Sequence, residues 1–434
     1  MSKRGIAAVA ALMAVSLAVL GPTTAEAQQV RPSQGEADEA EEAGVDWQWD
    51  LRVRPRLEGR FNHRFGLEAD EVRYGPGTEH SDAFSQQTRL GVRATRGALT
   101  GEAVAQHTAL WGVFGGNQLT MPPLNLYRAW LRYDTEGPVF FDIGRFELAY
   151  GDERVLGAVG WSQVGRAWDG MRVGIRPVDD IQVDLFGARY DDAQAGFLSG
   201  DSFLSGAYGM WEPEAVDFLD AVDLYGLYDL QWGDPEGPER RQIIMFGSRV
   251  AAGVADLDAT VEGGYQFGLR CPIEEGVDGC AGPRADIRAY FFDVELGYSL
   301  NDFRPFVGFS QASGDDDDPD VARSYTQLYP TGHKWLGFMD IIGPRTNIEE
   351  IRAGVNFNVA GGATIVAIHN FTRLQPERER VGTELNFKRF MTLSEAFTIG
   401  LGYGLFMPGP GVSTTDADPN ILAHWGFVQA VGSF

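Results

Sequence analysis

Four arginines, Arg52, Arg54, Arg56 and Arg60, stand at alternate positions of one short run, with Glu58 among them on the same side. A guanidinium keeps its charge at any biological pH and binds carboxylates through a planar fork of N–H donors. The chemistry on offer is therefore anion recognition, not proton transfer. Arg89, Arg93, Arg128, Arg132, Arg172, Arg176 and Arg352 fall on the polar side of their own runs in the same way. Arg145 is ambiguous, because Phe141 and Ile143 share its parity. Two uses fit this set: selecting anions, or pairing with Glu58, Asp134, Asp184, Asp258, Glu262 and Glu350 to fill an interior.

Other chemistries are poorly served. None of the three lysines, Lys3, Lys334 and Lys388, follows a glycine, so a G-x-x-x-x-G-K phosphate loop is excluded. H-E-x-x-H, G-x-S-x-G and C-x-x-C are all missing, which disfavours the familiar hydrolase and redox enzymes. The formal net charge of −25 argues against general nucleic-acid binding, which needs cations to neutralise phosphates. An acidic cluster, Asp315, Asp316, Asp317, Asp318 and Asp320, has the hard oxygen ligands that Ca²⁺ or Mg²⁺ prefer, and such an ion would bridge lipopolysaccharide phosphates. The cluster lacks EF-hand spacing, so plain solvated acidity is the favoured reading, and no cofactor is expected.

The arginines need elements of period two to share a face. Residues 51–61 provide one, with Leu51, Val53, Pro55, Leu57 and Phe61 opposite the arginines. Residues 257–267 repeat the device, as do 350–359 and 398–405. About eighteen such segments run from 47 to 434, separated by Gly, Pro, Asp or Asn. Breaks near 96–98, 135–138, 177–180, 252–253, 301–302, 360–362 and 393–394 are short. Longer polar ones alternate with them, near 62–83, 108–123, 148–166, 191–203, 269–284, 314–346 and 407–419, with shorter ones near 232–239 and 374–380. Alternating short and long connections are the mark of an all-β, antiparallel transmembrane β-barrel with short periplasmic turns and long extracellular loops. Arginine on the lipid face costs about 2–4 kcal/mol at the midplane, so the run at 52–60 must face water inside. Membrane lipid and lipopolysaccharide are then partners. Trp47, Trp49, Tyr127, Tyr133, Trp425 and Phe434 are candidates for aromatic girdles.

On this topology Cys271 and Cys280, with eight residues between them, share an outer loop in an oxidising setting, where an intraloop disulfide is expected. The 314–346 connection is long enough to fold back into the pore as a constriction or gate, placing His333 and Lys334 near the lumen. At the N-terminus, Lys3 and Arg4 precede an apolar stretch of about 15 residues, too short to span a bilayer at roughly 20. Residues 1–27 read as a signal peptide ending at Ala25-Glu26-Ala27, with a retained anchor as the alternative. Residues 28–46 read as an acidic disordered leader, and 47–434 as the barrel.

Two stretches carry a resemblance. GRFELAYGDER at 144–154 with GRAWDGMR at 165–172, and SGDDDDPD at 313–320 with YPTGHKWLGFMD at 329–340 and NIEEIR at 347–352, resemble the alginate-export family of outer-membrane β-barrel porins. YGLFMPG at 403–409 is similar to that family's C-terminal end, and Trp168 stands where Phe is more usual. The resemblance implies an 18-stranded monomeric barrel passing an anionic polysaccharide outward through an arginine-rich lumen, with Arg145, Arg154, Arg166 and Arg172 matching its motif arginines. The function expected is a channel for an anionic saccharide or other small anionic solute. A general diffusion porin, a surface receptor or a barrel-type lipid enzyme remain alternatives. Mass spectrometry of the mature protein should find its N-terminus at Gln28; a chain still carrying residues 1–27 would restore the anchor reading.

Overall fold

In a computed structural model, residues 44–62, 80–111, 124–189, 203–231, 239–272, 280–316, 318–411 and 422–434 are described. Residues 1–27, residues 28–43 of the leader, and Asp317 lie outside them. The described chain forms one closed antiparallel sheet. Its strands are β1 (Asp46–Phe61), β2 (His80–Arg96), β3 (Leu99–Leu110), β4 (Leu124–Asp134), β5 (Val139–Phe146) and β6 (Trp168–Val178). They continue with β7 (Ile181–Arg189), β8 (Phe203–Trp211), β9 (Leu219–Gln231), β10 (Glu239–Val254), β11 (Leu257–Pro272), β12 (Ala285–Tyr298) and β13 (Phe303–Ala312). After the two-residue β14 (Val321–Ala322) come β15 (Ile348–Val359), β16 (Gly362–Arg373), β17 (Glu379–Ser394), β18 (Phe397–Pro408) and β19 (Ala423–Ser433).

Each strand pairs with its neighbours in sequence. β13 pairs with β15, and β19 returns to β1, giving an 18-stranded barrel. β14 belongs to a connection and pairs parallel with β12 at Asp286 and Ile287. The seam closes with Leu51 N–H donating to Phe434 O at 3.0 Å and Phe434 N–H to Leu51 O at 2.9 Å. Closure leaves no strand edge to be satisfied in hydrocarbon, where an unpaired peptide group has no water to turn to.

The alternation sorts the side chains as expected. Phe246 on β10 is 58% exposed on the outside while its neighbour Met245 is wholly buried. Leu257, Val261, Tyr265 and Phe267 are exposed on β11, and Glu262 and Gln266 are buried. Connections alternate in length, from two-residue turns such as 97–98 at one end to the 35-residue 313–347 at the other.

Several details differ from the sequence reading. The turn placed at 252–253 lies at 255–256, because Gly253 still pairs with Asp258 and Ala255 supplies the left-handed residue, φ 53°. The turn placed at 393–394 lies at 395–396, after an irregularity between Thr392 and Ser394 lengthens β17. The β8–β9 connection at 212–218 was missed; its mixture of acidic and apolar residues has no glycine to announce it. Strands run from 8 to 17 residues, a wider range than bilayer thickness alone suggests. Trp47, Trp49, Tyr133 and Phe434 are exposed, as girdle residues must be. Tyr127 and Trp425 are instead buried in the interior, where they serve the site described next.

Phe246 sits halfway along its strand on the lipid side, so Phe246→Arg should destabilise the folded barrel by about 2–4 kcal/mol. Urea unfolding in lipid vesicles measures it; a neutral result would contradict the assigned faces.

Candidate functional site

The lumen is not an empty tube. The 147–167 connection, between β5 and β6, and the 313–347 connection, between β13 and β15, both fold inward. They join each other through backbone bonds: Gly157 N–H to Tyr329 O at 2.8 Å, Tyr329 N–H to Val155 O at 3.0 Å, and Thr331 N–H to Glu153 O at 2.9 Å. Their apolar residues, including Leu148, Leu156, Leu328, Met339, Ile341 and Ile342, form one core with inward residues of the wall such as Leu204, Ile243 and Phe371. Burying that surface holds the pair in place without any covalent tie.

The arginine run of β1 meets the first of these segments. Arg54 donates to Gly160 O at 2.7 Å, Ser162 O at 2.5 Å and the Gln163 side chain at 2.9 Å. Arg56 donates to Trp161 O at 2.8 Å and lies 4.0 Å from the centroid of its ring. On β2, Arg89 donates to Gln106 and to Val164 O, with its guanidinium 3.5 Å from the Tyr127 ring centroid. Gly165 makes this approach workable: its φ is +75°, and an added Cβ would fall 2.6 Å from both Arg89 Nη2 and the Tyr127 hydroxyl. Arg52 stands directly across from Arg89 in the β1–β2 register and has no hydrogen-bond or ion-pair partner among the described residues.

The other arginines find carboxylates. Arg60 bridges Glu58 (2.9 Å) and Asp340 (3.3 Å); Arg93 binds Glu102 at 2.6 Å; Arg128 binds Glu102 and Glu147. Arg132 and Arg172 share Asp142, and Arg172 also reaches Asp184. Arg176 donates to the neutral Gln182, lies 4.5 Å from the Phe140 ring centroid and is exposed. Arg352 is buried against Asp293, Glu295 and Glu350. Asp184, Glu262 and Glu350 pair as anticipated, and Asp258 pairs with Arg304, which the sequence reading passed over.

The motif arginines divide. Arg154, from the 147–167 segment, reaches across to Glu262 and Asp293, both at 2.9 Å, and is 3% exposed. Arg166 donates to Gly157 O and Pro330 O, tying the two inward segments together. Arg145 does not line the lumen: it shares the outward face with the exposed Phe141 and Ile143, is 41% exposed at its side chain, and pairs with Asp169. Its parity is that of its neighbours, and no bulge turns it inward.

A second group centres on His333, expected near the lumen, and its partners Asp340 and Lys388 were not anticipated because the 313–347 segment carries no period to align them. His333, on a single 3₁₀ turn (Gly332–Lys334), stacks on Trp161 at 4.2 Å between centroids. Its Nδ1 lies 3.0 Å from Asp340 and its Nε2 3.0 Å from Lys388 Nζ on β17. Burial and the Lys388 charge push His333 down to about 4, and the imidazole beside Asp340 helps hold that carboxyl at about 2 against burial. Arg345 is buried beside Asp293 and Ser310. Beside this region lies a cavity of about 390 Å³ lined by Arg56, Glu58, Arg60, Ser85, Trp161 and Asp340, among others.

The other candidates resolve simply. Cys271 and Cys280 form a disulfide with Cα atoms 5.5 Å apart. Asp315 pairs with Arg270, and Asp316 and Asp318 with Arg323. Those carboxylates are spent on guanidiniums, and no group of three metal-ligating side chains occurs among the described residues.

The sequence profile of the alginate-export family matches residues 121–418, more than half of the chain. The chain belongs to the alginate-export family. Crystal structures with the same fold include Pseudomonas aeruginosa OpdK with vanillate, at TM-score 0.61 and 11% identity over 90% of this chain and 98% of that one. P. aeruginosa OccK2 (OpdF) gives 0.62 and 10% over 90% and 99%, and OccK5 (OpdH) 0.58 and 11% over 90% and 98%. No curated protein matches the sequence. The family member described here is thus an outer-membrane barrel of channel type, not an enzyme.

Arg154→Met should leave Glu262 and Asp293 short of a buried counter-charge, at a cost of about 3–5 kcal/mol. Thermal or urea unfolding of the barrel should show it; an unchanged midpoint would mean that Arg154 does not anchor the inward segment.

Proposed function

We propose that this barrel is a monomeric outer-membrane channel for an anionic solute, a carboxylate-bearing saccharide or a smaller organic acid, selected by the arginines of β1, β2, β4 and β6. One observation carries the reading. Arg52, Arg54 and Arg89 lie side by side on the lumen wall, and not one of them is bonded to a carboxylate among the described residues. Their partners are backbone carbonyls, amides and an aromatic ring, which satisfy N–H donors but leave three formal charges standing. Across a narrow pore with low-dielectric walls, such charges concentrate anions and repel cations.

Family membership supports an anionic saccharide, and the vanillate of the OpdK crystal, an aromatic carboxylate, supports an organic acid of smaller size. Both present the group that a guanidinium fork binds best. Arg93, Arg132 and Arg176 continue the line toward the short-turn end, which an outer-membrane barrel turns to the periplasm. A solute leaving the cell would meet them first.

Reversal potentials across a salt gradient in planar bilayers test this. Wild type should prefer anions, and Arg52→Glu, at a lumen arginine with no hydrogen-bond or ion-pair partner among the described residues, should lower the anion-to-cation permeability ratio by roughly tenfold. Cation preference in wild type would overturn the proposal, and no selectivity at all would favour a general diffusion porin.

A further inference from the structure

We propose that His333, Asp340 and Lys388 form an acid-released latch that holds the inward 313–347 segment against the barrel wall and so regulates passage through the lumen. The inference rests on the channel reading and adds control to it. An ammonium only donates, so the Lys388–His333 contact of 3.0 Å needs a lone pair on Nε2 and puts the imidazole proton on Nδ1, facing Asp340. The latch is therefore built on neutral His333. It is a cross-link between this segment and β17 that a single proton can reverse, for a protonated Nε2 turns acceptor into donor and sets two cations about 3 Å apart.

The surroundings compensate a protonated His333 only in part. Lys388 is buried, with Nζ 3.5 Å from the Phe338 ring centroid and 5.3 Å from that of Trp161. The charged groups facing the pair come from four elements. Asp340 lies on the segment itself, where Lys334 instead turns to Asp152 O, and Glu58, Arg56 and Arg60 lie on β1. Glu384 lies on β17, its Oε1 taken by the Phe338 and Met339 amides, and His369 on β16 stands beyond Phe338. Asp340, shared with Arg60, and Glu58 favour a charged His333, but burial and the Lys388 ammonium outweigh the two carboxylates. Trp161, stacked on His333, carries the 147–167 segment, so release of His333 also loosens the face held by Arg54 and Arg56.

The sign follows from the shifts. The latched state keeps His333 at about 4, below its ordinary 6.5, so a released His333 takes up a proton more readily. The latch is at full strength above pH 6.5 and weakens as pH falls toward 4. Asp340, held at about 2, acts in the same direction below its ordinary 3.8.

Single-channel recording of the full-length barrel between pH 7.5 and 4.5 is the test, in symmetric salt. Open probability or conductance should rise at least about tenfold on acidification in wild type. His333→Gln still offers Lys388 an acceptor but cannot protonate, so its profile should be flat. Lys388→Met removes the repelling cation and should also flatten the response, which keeps the question answerable if one variant fails to fold. A wild-type profile independent of pH, or an unchanged response in both variants, would overturn the latch while leaving the channel reading intact. No conductance at any pH would overturn both.

Discussion

A charged wall can hold a folded segment against it only if each buried charge meets its complement. Desolvating an ion costs several kcal/mol, and only close partners return it. This barrel meets the condition twice, with opposite chemistry. Toward β1 and β2, where the wall is guanidinium, the inward chain presents the carbonyls of Gly160, Trp161, Ser162 and Val164. Toward β11, β12 and β15, where the wall carries Glu262, Asp293 and Glu350, it presents Arg154, and Arg345 arrives there from the partner segment. Exchange the two faces and carbonyls would confront carboxylates, so the orientation of the insert follows from the wall.

The two segments are bonded to each other as firmly as to the wall. Backbone bonds link Val155, Gly157 and Glu153 to Tyr329 and Thr331, and Arg166 spans Gly157 and Pro330. A body tied internally by peptide hydrogen bonds and an apolar core tends to shift as a unit, while its side-chain contacts to the wall are the replaceable ones. Among those contacts, the one between His333 and Lys388 can be reversed by a single proton.

The barrel was legible in the sequence because lipid and water enforce period two on every strand, as Arg52 to Arg60 and Leu257 to Phe267 show. Turn positions were less so: Gly253 reads as a break, yet a strand tolerates a glycine, and the reversal falls on Ala255. For the insert, length alone pointed to the inward fold of the 314–346 connection with His333 near the lumen, and its contacts were not legible. Residues 147–167 and 313–347 carry no period, so nothing in the order of residues announces that Gln163 meets Arg54, or that His333 meets Lys388, 55 positions away. Arg145 shows the reverse case. Its motif drew it into the site, while its parity with Phe141 and Ile143 already pointed outward.

Selection of anions and packing of the interior look like rival uses for an arginine, but the partners chosen here reconcile them. A carboxylate partner cancels charge, as Asp142 does for Arg132 and Arg172. A carbonyl partner satisfies the N–H groups and cancels nothing. Arg54 and Arg89 are fully engaged in holding the insert, yet they project the same formal charge as the unpartnered Arg52 beside them. The insert thus keeps these guanidiniums from collapsing onto wall carboxylates and fixes them facing one side of the lumen. On the reading proposed above, a mobile anion supplies the charge that these partners leave uncancelled, and because it is bound by charge already in place, it can leave without unfolding what it passed.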